Sequence, residues 1–166
     1  MEYCRPLSKE WLLEVLLQSE QYQIKRYVRA LRSEEYYTSV KPCNLLKYWY
    51  FGKKNRIGGR LGFFIPAGCF GPDLKIWHYG SVIVNPNARI GSGCQIHGNC
   101  CIGNRLDDQA DVPTIGNGVN IGQGAQILGR VKIADGVTIG AGAIVLKDID
   151  EPGASAVGVP AKTVGR

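Results

Sequence analysis

Two histidines, His78 and His97, are the residues of this sequence best suited to proton transfer. An imidazole titrates at pH ~6.5, so a histidine can take a proton from a hydroxyl group close to neutral pH. Counting back from Ile90 in steps of six places His78 in a position that inward-pointing aliphatic residues fill elsewhere in the chain. Burial favours the neutral imidazole that a general base needs. The sequence therefore predicts a catalytic base at His78, and the alternative is a core histidine whose ring nitrogens are paired.

His97 is the second catalytic candidate. It follows Ile96, which lies three steps of six beyond position 78. If the chain turns once every three steps, the two rings lie at neighbouring corners, about one strand spacing or ~5 Å apart along the backbone. The alternative for His97 is an outward-facing turn residue without a chemical role.

Metal and covalent chemistry find less support in the sequence. A zinc site needs a third ligand beyond two histidines, and no cysteine pair has zinc-site spacing, so no metal is expected. Cys101 has no histidine at a motif-like spacing, and neither do the serines, so a covalent nucleophile is unsupported. The stretches IGQGAQ and IGAGAI keep the six-residue period and do not lie between a strand and a helix, as a phosphate-binding loop would.

The elements that must position the histidines are marked by a period of six between residues 90 and 150. Isoleucine recurs in step, with Val145 next, at positions 90, 96, 102, 115, 121, 127, 133 and 139. Neither a helix nor a plain alternating strand has this period. A parallel β-helix does, because three six-residue faces make one coil of about 18 residues whose isoleucines stack inward. The alternative, a β-sandwich of short strands, would show turn signals about every 8–12 residues. The sequence thus predicts a mainly β protein with a parallel β-helix.

Departures from the period predict the ends and loops of the β-helix. Residues 62–72 indicate a first, imperfect coil. The polar, acidic stretch 104–114 interrupts the spacing between Ile102 and Ile115, which indicates a loop thrown out from the coil. From Glu151 the period stops, and a short tail is expected to close the open end. The sequence is therefore divided into an N-terminal helical, basic segment (1–61) and a β-helix domain with its tail (62–166).

The N-terminal segment carries the excess positive charge of the chain. Residues 1–60 hold twelve lysines and arginines against six acids, whereas residues 61–166 hold eight of each. Residues 8 to about 33 have a helical apolar stripe, and after Pro42 residues 44–51 form a second short helix or an extended piece.

Between residues 41 and 60, six basic residues and no acid alternate with the aromatic run Tyr48–Phe51. The favoured interpretation is a helix whose aromatics pack on the first coil while its lysines are solvated. The alternative is a surface that meets anionic lipid or an anionic glycan. Nucleic acid is not expected as a partner, because no recognition motif accompanies the charge.

The six cysteines and the N-terminus indicate the compartment. Cys94 and Cys100 fill small inward positions of the repeat, where cysteine acts as a small apolar residue. The start MEYCRPLSKE lacks the pattern of a signal peptide, and no apolar run approaches the length needed to span a membrane. A reduced, cytoplasmic protein is expected.

With these motifs in view, residues 62–165 resemble the hexapeptide-repeat acyltransferases with a left-handed β-helix. The stretches LKIWHYGSVIVNPNARIG, QIHGNCCIGN, VPTIGNGVNIGQGAQILGRVKIADGVTIGAGAIVLKDI and AVGVPAKTVG carry the resemblance. Within that family the chain looks most like serine acetyltransferases and their relatives that O-acetylate sugars of surface polysaccharides. The resemblance implies the left hand of the coil, a homotrimer, and acetyl-CoA as acyl donor in a groove between adjacent β-helices. It also implies direct attack of an acceptor hydroxyl on the thioester.

The resemblance also assigns residues. His78 matches the catalytic base of the family. Asn104, Gln123 and Ala141 match places where backbone atoms line the pantetheine groove, and Lys162 matches a basic residue near the nucleotide end of CoA.

Two departures concern the acceptor. Trp77 stands where serine acetyltransferases have an acid before the catalytic histidine, and Asp111 lies where they have an arginine-histidine pair. A zwitterionic amino acid needs opposite charges at both places, and an indole ring can instead cover a sugar face. We therefore expect an acetyl-CoA-dependent O-acetyltransferase acting on a polysaccharide sugar or its precursor, with Trp77 and Asp111 at the substrate. The alternatives are serine O-acetylation for cysteine biosynthesis and a non-catalytic trimeric scaffold.

Overall fold

A computed structural model describes residues 9–164 of the chain. Three N-terminal helices lead into a left-handed parallel β-helix, so the fold class predicted from the six-residue period is confirmed. The last helix ends at Leu61 and the first strand begins at Phe63, while the division into domains at that point stays a prediction. Across the described range, no helix combines the length and the apolarity that crossing a bilayer requires.

The helices are α1 (Lys9–Leu16), α2 (Glu20–Glu35) and α3 (Asn44–Leu61), with a turn of π-helix at Tyr36–Val40. The single helix predicted over residues 8–33 is instead broken between α1 and α2, and its predicted first residue, Ser8, lies outside the described residues. The break follows from Gln18, whose φ of 49° is left-handed. Ser19 then caps α2, because its side-chain oxygen accepts a hydrogen bond from the Tyr22 N–H.

Helix α3 extends well beyond the stretch 44–51 that the sequence indicated. Gly62 caps the C-terminal end of α3, since it has a φ of 81° and donates its N–H to the Gly58 carbonyl. A Cβ on Gly62 would also lie 3.0 Å from the backbone of Gly80, so glycine lets the end of α3 approach the first coil closely.

Short strands make up the three faces of the β-helix. In chain order they are β1 (Phe63–Phe64), β2 (Lys75–Ile76), β3 (Val82–Val84), β4 (Arg89–Ile90), β5 (Gln95–Ile96), β6 (Cys100–Gly103), β7 (Thr114–Ile115), β8 (Asn120–Ile121), β9 (Gln126–Leu128), β10 (Lys132–Ile133), β11 (Thr138–Ile139), β12 (Ile144–Val145), β13 (Ser155–Val157) and β14 (Lys162–Val164). The first face has the order β1-β3-β6-β9-β12, the second β4-β7-β10, and the third β2-β5-β8-β11-β13-β14. Every pairing is parallel except β13 with β14, by which the tail folds back on the last coil.

The register of the strands shows where the chain departs from the regular coil of three six-residue steps. Ile115 pairs with Ile133 and Ile121 with Ile139, and each of these pairs is separated by one regular coil. Ile96 pairs with Ile121, so the coil between them is longer, and the extra length falls in the loop predicted at 104–114. The pairing of Ile76 with Ile96 likewise exceeds a regular coil, by two positions, which lie at the corner between β2 and β3.

The aliphatic residues that follow the six-residue period form one continuous core. Ile96, Ile102, Ile121 and Ile127 are fully buried, and the small positions between them are filled by residues such as Cys94. Burial of a side chain of this size stabilises a fold by about 1.5–3 kcal/mol, so the stacked column carries the stability of the β-helix.

Helix α2 is fixed to the first coil by polar contacts as well as by apolar packing. The buried Tyr27 hydroxyl accepts a hydrogen bond from the Ile65 N–H at 3.2 Å, and its ring packs edge-on against Phe63. Burial raises the pKa of Tyr27, so the phenol stays neutral. Arg32 donates hydrogen bonds to the carbonyls of Phe70 and Gly71. These contacts hold α2 at a set position relative to β1 and β2.

The favoured interpretation of residues 41–60 is wrong in two respects. Tyr48, Trp49 and Phe51 do not pack on the first coil but are 66%, 55% and 47% exposed. Lys54 is not solvated, because its Nζ lies 2.9 Å from Glu34 Oε2 in a buried ion pair between α3 and α2. The inward face of α3 is occupied by Ile57, Leu61 and this ion pair, which leaves the aromatic rings on the outside.

Candidate active site

Both histidines lie at the corner of the β-helix that follows the third face, where His78 comes after β2 and His97 after β5. His78, however, is not in an inward position. The slot assigned to His78 is filled by Ile76, which is 3% exposed, whereas the His78 side chain is 57% exposed. The cause is the insertion of two positions between β2 and β3, which the period of six could not show because it was counted back from Ile90. The predicted inward position of His78 is therefore wrong.

His78 instead has a carboxylate neighbour from the helical segment. Glu20 Oε2 lies 3.5 Å from His78 Nδ1, and Glu20 Oε1 accepts a hydrogen bond from the Tyr79 N–H at 2.6 Å. Gln21, the next residue of α2, donates its side-chain N–H to the Trp77 carbonyl at 2.7 Å. The first turn of α2 thus holds the corner that carries His78. Sequence reasoning missed Glu20, since nothing in its surroundings indicates a contact with so distant a part of the chain.

His97 lies directly beside His78, as predicted. The ring centroids of the two histidines are 6.2 Å apart, with their planes inclined by 38°. His97 is half-buried at the end of β5, and Trp77 stacks on it with centroids 5.8 Å apart. Burial lowers the pKa of His97, and the neighbouring His78 lowers it further, while Asn120 acts in the opposite direction. The surroundings of His97 therefore favour its neutral form.

Trp77 makes its ring contacts within the chain. Its Nε1–H donates to Gln95 Oε1 at 3.0 Å, and the Lys75 ammonium lies 3.5 Å from the ring centroid. Together with His97, these neighbours occupy part of the ring surface that the sequence interpretation assigned to a sugar. The structure also brings a cation, Lys75, to this corner, where the sequence indicated no charge.

Two of the residues assigned to the donor lie on the same edge of the β-helix as His97. Gln123 and Ala141 follow β8 and β11, as His97 follows β5, so the three occupy successive coils of one corner. Backbone hydrogen bonds join this column, among them Gly124 N–H to the Gly98 carbonyl and Gly142 N–H to the Gln123 carbonyl. Lys162 lies on β14, at the far end of the same face.

Asn104 and Asp111 lie elsewhere in the chain. Asn104 follows β6 on the first face, where its Oδ1 accepts a hydrogen bond from Asn85 Nδ2 at 3.0 Å. Asp111 braces the 104–114 loop, because its carboxylate accepts hydrogen bonds from the N–H groups of Arg130 at 2.8 Å and Arg105 at 3.3 Å. These contacts, the one from Arg130 first, lower the pKa of Asp111. One copy of the chain does not bring either residue to the histidine corner.

Metal ligands are not grouped at this corner. Within residues 9–164, no three His, Cys, Asp or Glu side chains lie close enough together to hold a metal ion. The chemistry on offer is proton transfer by an imidazole, supported by backbone N–H groups at the corners.

Comparison with known proteins finds serine acetyltransferases among the relatives of this chain. The family described as "Bacterial transferase hexapeptide (six repeats)" matches residues 113–147. A serine acetyltransferase of Helicobacter pylori (strain J99) is 32% identical over 140 residues, which cover 84% of this chain and 76% of that protein. The serine acetyltransferase of Mycobacterium tuberculosis is 35% identical over 102 residues, or 61% of this chain and 44% of that protein. The chain thus spans less than half of the Mycobacterium tuberculosis relative.

Solved structures show the same likeness over nearly the whole chain. The serine acetyltransferase of Neisseria gonorrhoeae superposes with a TM-score of 0.72 at 27% identity, covering 97% of this chain and 60% of that one. The same enzyme in complex with serine gives a TM-score of 0.72 at 26% identity, covering 96% of this chain and 62% of that one. The helical segment and the β-helix are therefore both shared with these proteins.

Proposed function

Because this chain belongs to the serine acetyltransferase family, we propose that it transfers the acetyl group of acetyl-CoA to the hydroxyl group of a small-molecule acceptor. The observation that carries the proposal is the half-buried His97, paired with His78 at the head of the edge that also bears Gln123 and Ala141. A non-catalytic scaffold would gain nothing from two adjacent imidazoles at such a corner. The free thiols of Cys43, Cys69, Cys94, Cys100 and Cys101 fit a reducing, cytoplasmic location.

We assign the role of general base to His97 instead of His78, because only His97 is shielded from solvent. Neutral His97 takes the proton of the acceptor hydroxyl as its oxygen attacks the thioester carbonyl carbon. Backbone N–H groups near the corner stabilise the oxyanion of the tetrahedral intermediate. Its collapse breaks the carbon–sulfur bond, and the imidazolium returns the proton to the departing CoA sulfur. His78, with Glu20 beside it, lines the acceptor side of the same corner.

A homotrimer would unite the donor residues that one chain keeps apart. The column with Gln123 and Ala141 lies on one edge, and Asn104 lies on another. In a three-fold assembly the edge of one subunit can face a different edge of its neighbour, so a groove between subunits would be lined by both. Light scattering of the purified protein should then give three times the 18.1 kDa mass of the chain.

Serine is the acceptor that the relatives support best. The charges that an amino acid requires, absent from the sequence motif, have candidates in the structure: Glu20 for the ammonium and Lys75 for the carboxylate. Both lie at the corner that carries Trp77 and His78. When a zwitterion leaves water, its ammonium and carboxylate groups lose their hydration. Contacts with two opposite charges in the site replace most of that lost stabilisation.

A sugar hydroxyl is the second candidate acceptor. It is favoured by Trp77, an aromatic ring where a serine-binding acid would stand, and by the surface-polysaccharide enzymes that the motifs resemble. Trp77 would then contact the sugar, and Asp111 would serve it only from a neighbouring subunit. The contacts of Trp77 with His97 and Lys75 leave less of its ring for this purpose.

The deciding experiment measures CoA release from acetyl-CoA with L-serine and with a panel of sugars on one enzyme preparation. We expect turnover of L-serine at an ordinary enzymatic efficiency, ~10⁴ M⁻¹s⁻¹ or better. Glu20→Gln should raise the KM for serine about tenfold and leave the KM for acetyl-CoA unchanged, since a lost charged contact is worth about 1.5–3 kcal/mol. Turnover of sugars alone, with serine inert, would reverse the order of the two acceptors. If neither serine nor any sugar caused CoA release, both acceptor assignments would be wrong.

A further inference from the structure

A groove between α2 and α3 lies next to the histidine corner and has no role in the proposed acetyl transfer. Its volume is about 660 Å³, within the range of small-molecule sites. Its lining comes from α2, from α3 and from Tyr79, the neighbour of His78. A free serine is much smaller than this space.

The lining of the groove is cationic and has no acid. The described residues that line it include the four cations Arg26, Lys53, Arg56 and Arg60 but no carboxylate. Among the ion pairs of the side chains that the structure describes, those of residues 13–164, none involves any of these four cations. Four like charges that are left unpaired around one concave surface repel one another, and an anion between them would relieve that repulsion.

Aromatic rings accompany the charges. Trp49 is 55% exposed and lines the groove beside Tyr48, while the Lys53 ammonium lies 4.7 Å from the Trp49 ring centroid. An exposed indole beside a cation can stack on a flat or weakly polar ring while the cation meets an anionic substituent. The groove therefore combines contacts for a phosphate group with a platform for a ring.

Helical spacing explains why these residues share one face. Tyr48, Trp49, Lys53, Arg56 and Arg60 follow one another at intervals of one, three or four positions along α3. The side of the helix that carries Lys54 is turned inward by the buried ion pair with Glu34, so the basic aromatic face points into the groove or to solvent. The buried Ile57 and Leu61 lie between the two sides and also line the groove.

We propose that this groove is a second ligand site, which binds a phosphate-bearing sugar. A second copy of the chain that met this face with its own copy of the same face would bring the four cations against one another. The donor acetyl-CoA also fits poorly, since Lys162 and the column of Gln123 and Ala141 extend from His97 toward the C-terminal end of the β-helix, away from α3. The proposal goes beyond acetyl transfer and does not depend on which hydroxyl is acetylated.

Titration calorimetry at low ionic strength tests the site with glucose 1-phosphate and UDP-glucose as probes and glucose as the neutral control. Both phosphate-bearing probes should bind, glucose should not, and the affinity should fall as salt is added. Arg56→Gln and Arg60→Gln should each weaken binding about tenfold, the usual effect of one charged hydrogen bond. Lys47→Gln removes the same charge from α3 outside the groove and should leave binding nearly unchanged.

Several outcomes would overturn the proposal. One is that neither probe binds to protein whose circular dichroism spectrum shows that it is folded. A second is an equal loss of affinity in the Lys47 and Arg56 variants. A third is binding to anionic lipid vesicles without binding to either soluble probe, which would make the face a membrane surface. A fourth is a rise in the KM for acetyl-CoA in Arg56→Gln, which would place the groove in the donor site.

The tests of the two proposals are separable. Calorimetry with a sugar phosphate needs no acetyl transfer, and CoA release needs no ligand in the groove. Binding without CoA release would contradict the enzymatic proposal alone, and CoA release without binding would contradict the second site alone.

Discussion

At the scale of single residues, the two imidazoles differ in their surroundings although their centroids are only 6.2 Å apart. His97 is half-buried under Trp77, whereas His78 is exposed and faces Glu20. Two neighbouring histidines cannot both gain a proton without mutual repulsion, so the more buried ring stays neutral more readily. The difference gives each ring a distinct expected role.

His97→Ala should therefore lower kcat by about 10² or more, the usual contribution of a general base. His78→Ala should lower it less and act mainly on the KM of the acceptor. Both variants are measured by CoA release, with the oligomeric state checked by light scattering. If His78→Ala proves the more damaging of the two in kcat, the base is His78 and the roles must be exchanged.

The pH dependence of kcat/KM gives an independent test of His97. Burial and the neighbouring His78 hold the pKa of His97 below the ordinary histidine value, so activity should persist at a pH where an ordinary histidine is already protonated. His78→Gln removes the second of these causes, so the pKa of His97 should rise and the acid limb should move to higher pH. A limb that moves to lower pH, or stays in place, would contradict the coupling of the two rings.

Much of this site could be predicted from residue types, but not its exact geometry. The chain has only two histidines, and the spacing between them is close to one coil. Because a coil of about 18 residues returns to the same corner, the sequence predicted that the two rings lie near each other. The predicted inward position of His78 was wrong. The two inserted positions lie before Ile90, where the regular six-residue period begins, so a count back from Ile90 could not show them. Glu20, Lys75 and Arg56 were not foreseen as site residues. The positions of Glu20 and Arg56 depend on how α2 and α3 dock, which tertiary packing decides and local pattern does not. Lys75 lies on β2, whose place relative to His78 is set by the two inserted positions that the count of six missed.

At the scale of elements, the β-helix was far more predictable than the helices that precede it. Every inward position of a coil meets the same environment, so aliphatic residues recur and reveal the fold. The packing of α3 carries no such repetition. Its aromatics suggested an inward face, yet a buried Lys54 paired with Glu34 supplies the contact with α2 and turns the rings outward.

Removing one partner of the buried ion pair should destabilise the protein more than replacing both partners by apolar residues. Lys54→Ala leaves Glu34 buried without a partner and should lower the free energy of unfolding by about 3–5 kcal/mol. Lys54→Met combined with Glu34→Leu should restore most of that loss, because the uncompensated charge is gone. Arg56→Ala, exposed on the same helix, serves as the control within about 0.5 kcal/mol. Urea denaturation measures all three, and a double variant as unstable as Lys54→Ala would contradict this account.

At the scale of the whole molecule, charge and chemistry are distributed unevenly. The net charge of +6 resides in residues 1–60, while the rest of the chain is balanced. The histidine corner lies between the basic helices and the regular coils, since His78 faces Glu20 of α2 and His97 follows β5. The C-terminal tail places Lys162 on β14, at the far end of the face that leads to the histidine corner.

Lys162→Ala should accordingly raise the KM for acetyl-CoA and leave kcat nearly unchanged. A phosphate contact far from the thioester binds the ground state and the transition state alike. Initial rates over a range of acetyl-CoA concentrations measure the effect, and Lys147→Ala, which removes another exposed lysine of the β-helix, is the control. A loss confined to kcat would place Lys162 nearer the chemistry than the proposal allows.

The register of the coils also bears on how the chain folds and opens. Most strands pair with the strand one coil away, and none of the described β-helix pairings joins the two ends of the chain. The contact order of this domain is therefore low for a parallel β protein, roughly a tenth to a seventh of the chain length, below the range of the slowly folding β-sandwiches. Coils can add to a formed neighbour one at a time, and they can fray from an end in the same way. Amide hydrogen exchange should be slowest around Ile96 and Ile121 and faster toward β14, so the C-terminal end of the β-helix would open many times before the histidine corner does.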